Sequence, residues 1–145
     1  MRVEVTSITS PVNVSWYMGE EVVNYEYEGG ELIDTDNDGS WEAGRDVADA
    51  GVTAAPGIVM PSAPRARESY YQEWYPGEAE DMGFVVATGV NAELPDGTEY
   101  SDCVQTLDWS PFEPDALEYK FYAPNVGLVL EHTVDGEETA ALLVD

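Results

Sequence analysis

Basic residues are almost absent: Arg2, Arg45, Arg65, Arg67 and Lys120 stand against 30 Asp and Glu, for a net charge of −25. That balance excludes nucleic acid as a partner, because affinity for phosphate backbones needs clustered Lys and Arg. It excludes attraction to anionic membrane surfaces for the same reason. Cys103 is the only cysteine, so no internal disulfide exists and a thiolate-rich zinc site is ruled out. A buried structural thiol in a strand is the expected state of Cys103. The single histidine, His132, leaves zinc sites of ordinary composition without ligands. A long apolar run is missing too, and the first ten residues, MRVEVTSITS, contain neither a signal peptide nor a membrane span. No Gly-rich stretch sits between a strand and a helix, so a nucleotide cofactor is not expected.

Helix signals are equally scarce, since no window keeps an i, i+3, i+4, i+7 apolar stripe free of Gly and Pro. Strand signals occur throughout. RVEVTSI places Val3 and Val5 on one face, and VVNYEYEGGELI reads as a hairpin turning at Gly29-Gly30. GFVVATGV, SDCVQTLDW, ALEYKFYA and VGLVLEHTV read as further strands, with turns at Asp96-Gly97 and Asp135-Gly136. The expectation is one all-β domain over residues 1–145, an antiparallel meander forming either a strongly curved half-barrel or a small sandwich. The proline-rich stretch AGVTAAPGIVMPSAPRARES is expected to be a long irregular loop. An apolar fraction of 43% is that of a globular chain, so the acidity is a surface property and not a disorder signature. A solvated acidic surface fits a saline or marine habitat, where salt screens self-repulsion.

DTDNDG, residues 34–39, begins like a calcium loop. Asp34, Asp36 and Asp38 take the first, third and fifth positions, Gly39 the sixth, the Ser40 carbonyl the seventh and Glu42 the ninth. The twelfth position should carry a bidentate Glu and holds Arg45, with Asp46 one step late. An EF-hand is therefore not expected. A looser structural calcium loop would use Asp34, Asp36, Asp38, Ser40 and either Glu42 or Asp46. The plainer reading is an exposed Asx turn whose side chains bond their own backbone.

No catalytic residues are assigned. His132 shares a strand face with Leu128, Leu130 and Val134, which marks a core or rim residue, and no Ser stands in a nucleophile setting such as G-x-S-x-G. Tyr70, Tyr71, Trp74 and Tyr75 beside Glu73, Glu78, Glu80 and Asp81 have the composition of a sugar-binding cleft or glycosidase. Strand propensity and an acidic surface explain the same residues more simply. Trp16, Trp41, Trp109, Tyr119 and Phe121 are core candidates before they are ligand contacts.

The ordered segments SWYMGEEVVNYEYEGG, GSWEAG, PGIVMP, YYQEWYPGEAEDM and SDCVQTLDWSPFEPDALEYKFYAPNVGLVLE resemble a family of bacterial secreted proteins and lipoproteins. In that family, variants of SWEAG, EWTPLEPG and EYKYYAPGVGLV recur. The similarity spans roughly residues 15 to 135. It implies a β-rich extracytoplasmic module and assigns no activity. With no catalytic constellation among the residues, the leading expectation is a non-enzymatic binding or structural role. The alternatives are a carrier holding an apolar small molecule on the concave face of its sheet and, more distantly, a carbohydrate-active enzyme. Relative to the family the chain lacks upstream hairpins, which implies an amino-terminal truncation and an exposed sheet edge that a second copy would cover as a homodimer. Family members do not generally carry the Asp triplet, so calcium would be a local trait.

Overall fold

The computed structural model describes residues 2–7, 15–37, 39–46, 51–134 and 139–141. Antiparallel strands make up all of its regular structure, and no helix occurs among these residues. The strands group into two compact units, Met1–Ser62 with Tyr71–Glu80, and Ala63–Tyr70 with Asp81–Asp145. Each has its own small core.

In the first unit, β1 (Arg2–Ser7), β2 (Ser15–Val22), β5 (Trp41–Glu42) and β6 (Gly57–Met60) form a four-stranded sheet. β3 (Asn24–Glu28) and β4 (Glu31–Asp36) form a separate two-stranded ribbon. Its turn is the expected Gly29-Gly30 pair, with φ of 61° and 88°. Positive φ at both central residues is what a two-residue hairpin loop requires. The core of this unit gathers Trp41, Ala54 and the fully buried Tyr75, with Ala43, Val59 and Ala79 against them.

The expected proline-rich loop is not wholly irregular. Gly57–Met60, between Pro56 and Pro61, is β6 and pairs with β2. Proline lacks the N–H that a ladder needs, so the two prolines bound the strand without entering it.

In the second unit a six-stranded sheet runs in the order β12 (Thr139–Ala141), β11 (Gly127–Thr133), β10 (Glu118–Ala123), β9 (Glu99–Trp109), β8 (Met82–Glu93) and β7 (Ser69–Tyr71). This is the expected meander. Among the described residues the sheet is neither closed nor strongly curved, and the expected half-barrel is not confirmed. The turn at Asp96-Gly97 is present, with Thr98 N–H donating to Asp96 Oδ1 at 2.8 Å. That bond holds the Asp96 carboxyl below its ordinary range. Cys103 joins Ala92, Leu94, Ala123, Val129 and Leu130 in the core, and burial pushes its thiol up. The turn at Asp135-Gly136 lies outside the described residues.

Candidate functional site

Alternation along β3 and β4 sorts the ribbon's side chains by chemistry. The register pairs Asn24 with Asp36, Glu26 with Asp34, Tyr27 with Leu32 and Glu28 with Glu31. One face therefore carries Asn24, Glu26, Glu28, Glu31, Asp34 and Asp36, and the other Tyr25, Tyr27, Leu32 and Thr35. Between Glu26 and Tyr27 the register shifts by one, which leaves Ile33 as the extra residue of a bulge.

Every residue of both strands is exposed. On the apolar side Tyr27 is 62% exposed, Leu32 51% and Tyr25 46%, and the bulge residue Ile33 is 52% exposed. Isolated apolar residues on a surface are ordinary, but four on one small ribbon form a patch. The acidic side opposes like charges directly, Glu26 against Asp34 and Glu28 against Glu31, and each such pair costs a fraction of a kcal/mol. A two-stranded hairpin is marginal in water without a packing layer. Among the described residues this ribbon has neither a third strand nor a covered face.

The calcium-loop residues lie where β4 leaves the ribbon. Asp34 and Asp36 share the acidic face, Asp34 Oδ1 accepting from Thr35 N–H and Asp36 Oδ1 from Asn24 Nδ2, each at 2.8 Å. Ser40 N–H donates to the Asn37 carbonyl at 3.1 Å. Glu42 Oε2 takes a 2.7 Å salt bridge from Arg45 Nη1, with both side chains mostly in water. Such exposed pairs contribute well under about 1 kcal/mol, so Glu42 is free to turn elsewhere.

Asp46 is held more firmly. Its Oδ1 accepts from the hydroxyl of buried Tyr75 at 2.7 Å and its Oδ2 from Gly51 N–H at 2.9 Å. Asp46 therefore links Gly51 to the buried Tyr75, and turning it to a metal would break a part-buried hydrogen bond. Asp38 lies outside the described residues. Among the described residues no three ligating side chains converge to hold a metal ion.

The second unit holds a charge cluster that strand-by-strand reading missed. Lys120, the chain's only lysine, lies on β10 between its two neighbours. Its Nζ stands 3.3 Å from Asp108 Oδ2, 3.6 Å from Glu131 Oε2 and 3.7 Å from Glu118 Oε2. The register explains the convergence: Glu118 faces Asp108, and Lys120 faces both Thr106 and Glu131. Asp108 and Thr106 are buried.

Burial works against the Lys120 ammonium, but the three carboxylates outweigh it and raise its pKa. Glu118 is pushed above the ordinary carboxylate range, first by desolvation and then by repulsion from Glu131. The one signal available in sequence was parity. Glu118 and Lys120 share a face of β10 in a chain that has no other lysine.

His132 stacks over Phe121, with centroids 5.8 Å apart, and tilts against Tyr119 at 5.5 Å. Its Nδ1 lies 2.9 Å from the Thr133 carbonyl. It is a half-buried rim residue packed on aromatics. Within the first unit the Tyr71 and Trp74 rings sit 4.3 Å apart, and Glu73 and Tyr75 are buried. Trp41 is buried as expected, whereas Trp109 and Phe112 are exposed.

No family model, curated protein or solved structure matches this chain.

Proposed function

We propose that the chain is a non-enzymatic binding module of an extracytoplasmic protein, and that it binds through the β3–β4 ribbon. The observation that carries this reading is the solvent-facing set Tyr25, Tyr27 and Leu32, with the exposed bulge residue Ile33, on an element that no other strand pairs with among the described residues. Tyr side chains bring large apolar area with few rotors, which is why they recur at binding surfaces. The extracytoplasmic setting rests on the family resemblance of the sequence segments.

The uncharged dye Nile red tests the reading, since an anionic probe would be repelled by the chain. Dilute protein should enhance its fluorescence, and a Tyr27→Ser/Leu32→Ser variant should lose most of the enhancement. Equal signals from the two proteins would contradict the reading.

Calcium at the end of β4 is a second proposal, supported by the Asp34/Asp36/Asp38 spacing and by the weak hold of Arg45 on Glu42. With Asp46 engaged, the site has few ligands and its Kd should lie on the order of 10⁻⁴ to 10⁻³ M. Millimolar calcium should raise the melting temperature, and Asp36→Ala should abolish the rise. Asp46→Asn should instead lower stability with or without calcium, because it weakens the Tyr75 tie. A calorimetric titration with no heat of binding, together with an unchanged melting temperature, would end the calcium proposal.

A further inference from the structure

We infer that the Arg65–Ala66 peptide bond is a cleavage site for an arginine-specific serine endoprotease, and that the cut chain persists as a two-chain protein. This stands independently of the ribbon.

Proteolytic nicking concentrates in exposed backbone outside regular structure. Residues 61–68, between β6 and β7, contain no strand, and all but Pro61 and Pro64 are exposed. Residues 51–67 carry no Asp or Glu, in a chain that has 30 of them. The stretch therefore suits a primary pocket floored by a carboxylate, which an acidic segment would repel. The Arg65 side chain is 78% exposed, and its contact with Glu68 spans 3.7 Å, too weak to keep it from a pocket. Ala63 precedes a proline and is biased towards the extended backbone that a protease cleft binds, and Pro64 has its φ fixed.

The other internal basic residues are shielded. Arg45 N–H donates to the Glu42 carbonyl at 3.1 Å, and the Arg45 carbonyl accepts from Ala54 N–H at 3.0 Å. Lys120 lies in β10, paired on both sides. Arg67 N–H donates to the Val85 carbonyl at 2.8 Å, and the Glu68 carbonyl accepts from Val85 N–H at 2.9 Å. The Arg67–Glu68 bond is thus pinned from both ends.

At Arg65 the guard is slighter. Its carbonyl accepts from Glu68 N–H at 3.2 Å, closing a turn in which Arg67 has φ of 76°. Glycine takes that conformation freely and arginine does not, so opening the turn gives up one bond and relieves strain. Water then breaks the C–N bond. Its oxygen completes the Arg65 carboxylate and its two protons complete the Ala66 ammonium, leaving net charge unchanged.

The pieces stay together because the first unit needs both. Residues 71–80 follow the cut yet belong to that unit. Its core sets Trp41 and Ala54, from before the cut, against the fully buried Tyr75, from after it. The Tyr75 hydroxyl donates to Asp46 at 2.7 Å, and Ala55 N–H donates to the Trp74 carbonyl at 2.8 Å. Cleavage touches none of these contacts.

Trace trypsin on the native full chain, followed by intact mass, tests the site. The first products should be residues 1–65 and 66–145, formed about tenfold or more faster than cuts at Arg45, Arg67 or Lys120, because cleavage follows the population of the locally opened backbone. Arg65→Gln should remove the early cut and Arg67→Gln should keep it. On size exclusion in native buffer the two pieces should elute together at the position of the intact chain, and they should part in denaturant. No early cut, a first cut at one of the other three residues, or an Arg65→Gln chain nicked equally fast overturns the site. Pieces that separate in native buffer overturn the two-chain product.

Discussion

Lys120→Met should be the most damaging single substitution in the six-stranded sheet. It keeps the length of the aliphatic stem and deletes the one positive charge among Asp108, Glu118 and Glu131. Removing one partner of a buried ion pair costs about 3 to 5 kcal/mol, because the carboxylates stay behind uncompensated. The lower end applies here, since the ammonium side chain keeps 22% exposure. At roughly 2 to 4 °C per kcal/mol for a chain of this length, the melting transition should fall by about 10 °C.

The pH dependence of that loss has a definite sign. Glu118 has a folded pKa above its unfolded one, so its protonated form favours the folded state. That stability is present in acid and disappears as pH rises through the folded value. The raised Lys120 contributes stability that is complete below its unfolded pKa and is lost only as pH climbs through the folded value. The variant's deficit should therefore be full near neutrality and begin to shrink as pH falls through Glu118's raised value, which lies above the ordinary glutamate value of 4.5, because protonated Glu118 no longer repels its neighbours. Glu118→Gln added to Lys120→Met should recover part of the loss at pH 7. A deficit that is flat from pH 3 to 8 would mean that lost packing, and not charge, explains it.

Gly57→Ala should be comparably severe in the first unit. A Cβ built on Gly57 overlaps the Gln72 carbonyl group and comes 3.0 Å from the Glu73 amide nitrogen. These are backbone atoms, and they cannot swing aside as a flexible side chain would. Gly57 is itself buried in β6, paired opposite Tyr17 of β2. Accommodating the methyl means parting β6 from the 72–73 segment. Overpacking of this kind costs about 3 kcal/mol, again roughly 10 °C in melting temperature. Urea unfolding followed by tryptophan fluorescence would measure it, with Trp41 and Trp74 in the affected unit. An unchanged midpoint would contradict the close approach of these backbones.

Much of the strand layout was legible because period-two alternation and Gly or Asp-Gly turns are local signals. Gly29-Gly30 and Asp96-Gly97 announced their hairpins directly. Bulges defeated the finer reading. The shift between Phe121 and Tyr122 sets Leu130 opposite one and Leu128 opposite the other, leaving Val129 extra. Val129 and Leu130 are consequently both buried. The single face expected for Leu128, Leu130, His132 and Val134 breaks there. Nothing in the residue types of VGLVLEHT announces this, because a bulge is a property of the strand pair.

The same limit hid the two features of most interest. The Lys120 cluster needs the register of three strands, and strand order is not written in any one of them. The ribbon's amphipathicity was present in NYEYE and ELIDTD, where Tyr and Glu alternate. Its exposure was not, since alternation of this kind ordinarily marks a face packed on a core. Asp46 illustrates the converse. Its distance from the Asp triplet fitted a ligand, while its folded role depends on Tyr75, 29 residues away.

Hydrogen exchange on dilute, monomeric protein tests most directly whether the β3–β4 ribbon is an open binding element. Among the described residues, 24–36 have neither a third strand nor a covering layer, so local opening should expose their amides long before the rest of the chain unfolds. They should exchange orders of magnitude faster than those of β9 and β10 at the centre of the six-stranded sheet. Protection of residues 24–36 equal to that of β9 in the dilute monomer would mean the ribbon is already covered within the chain, and would contradict its role as the binding surface.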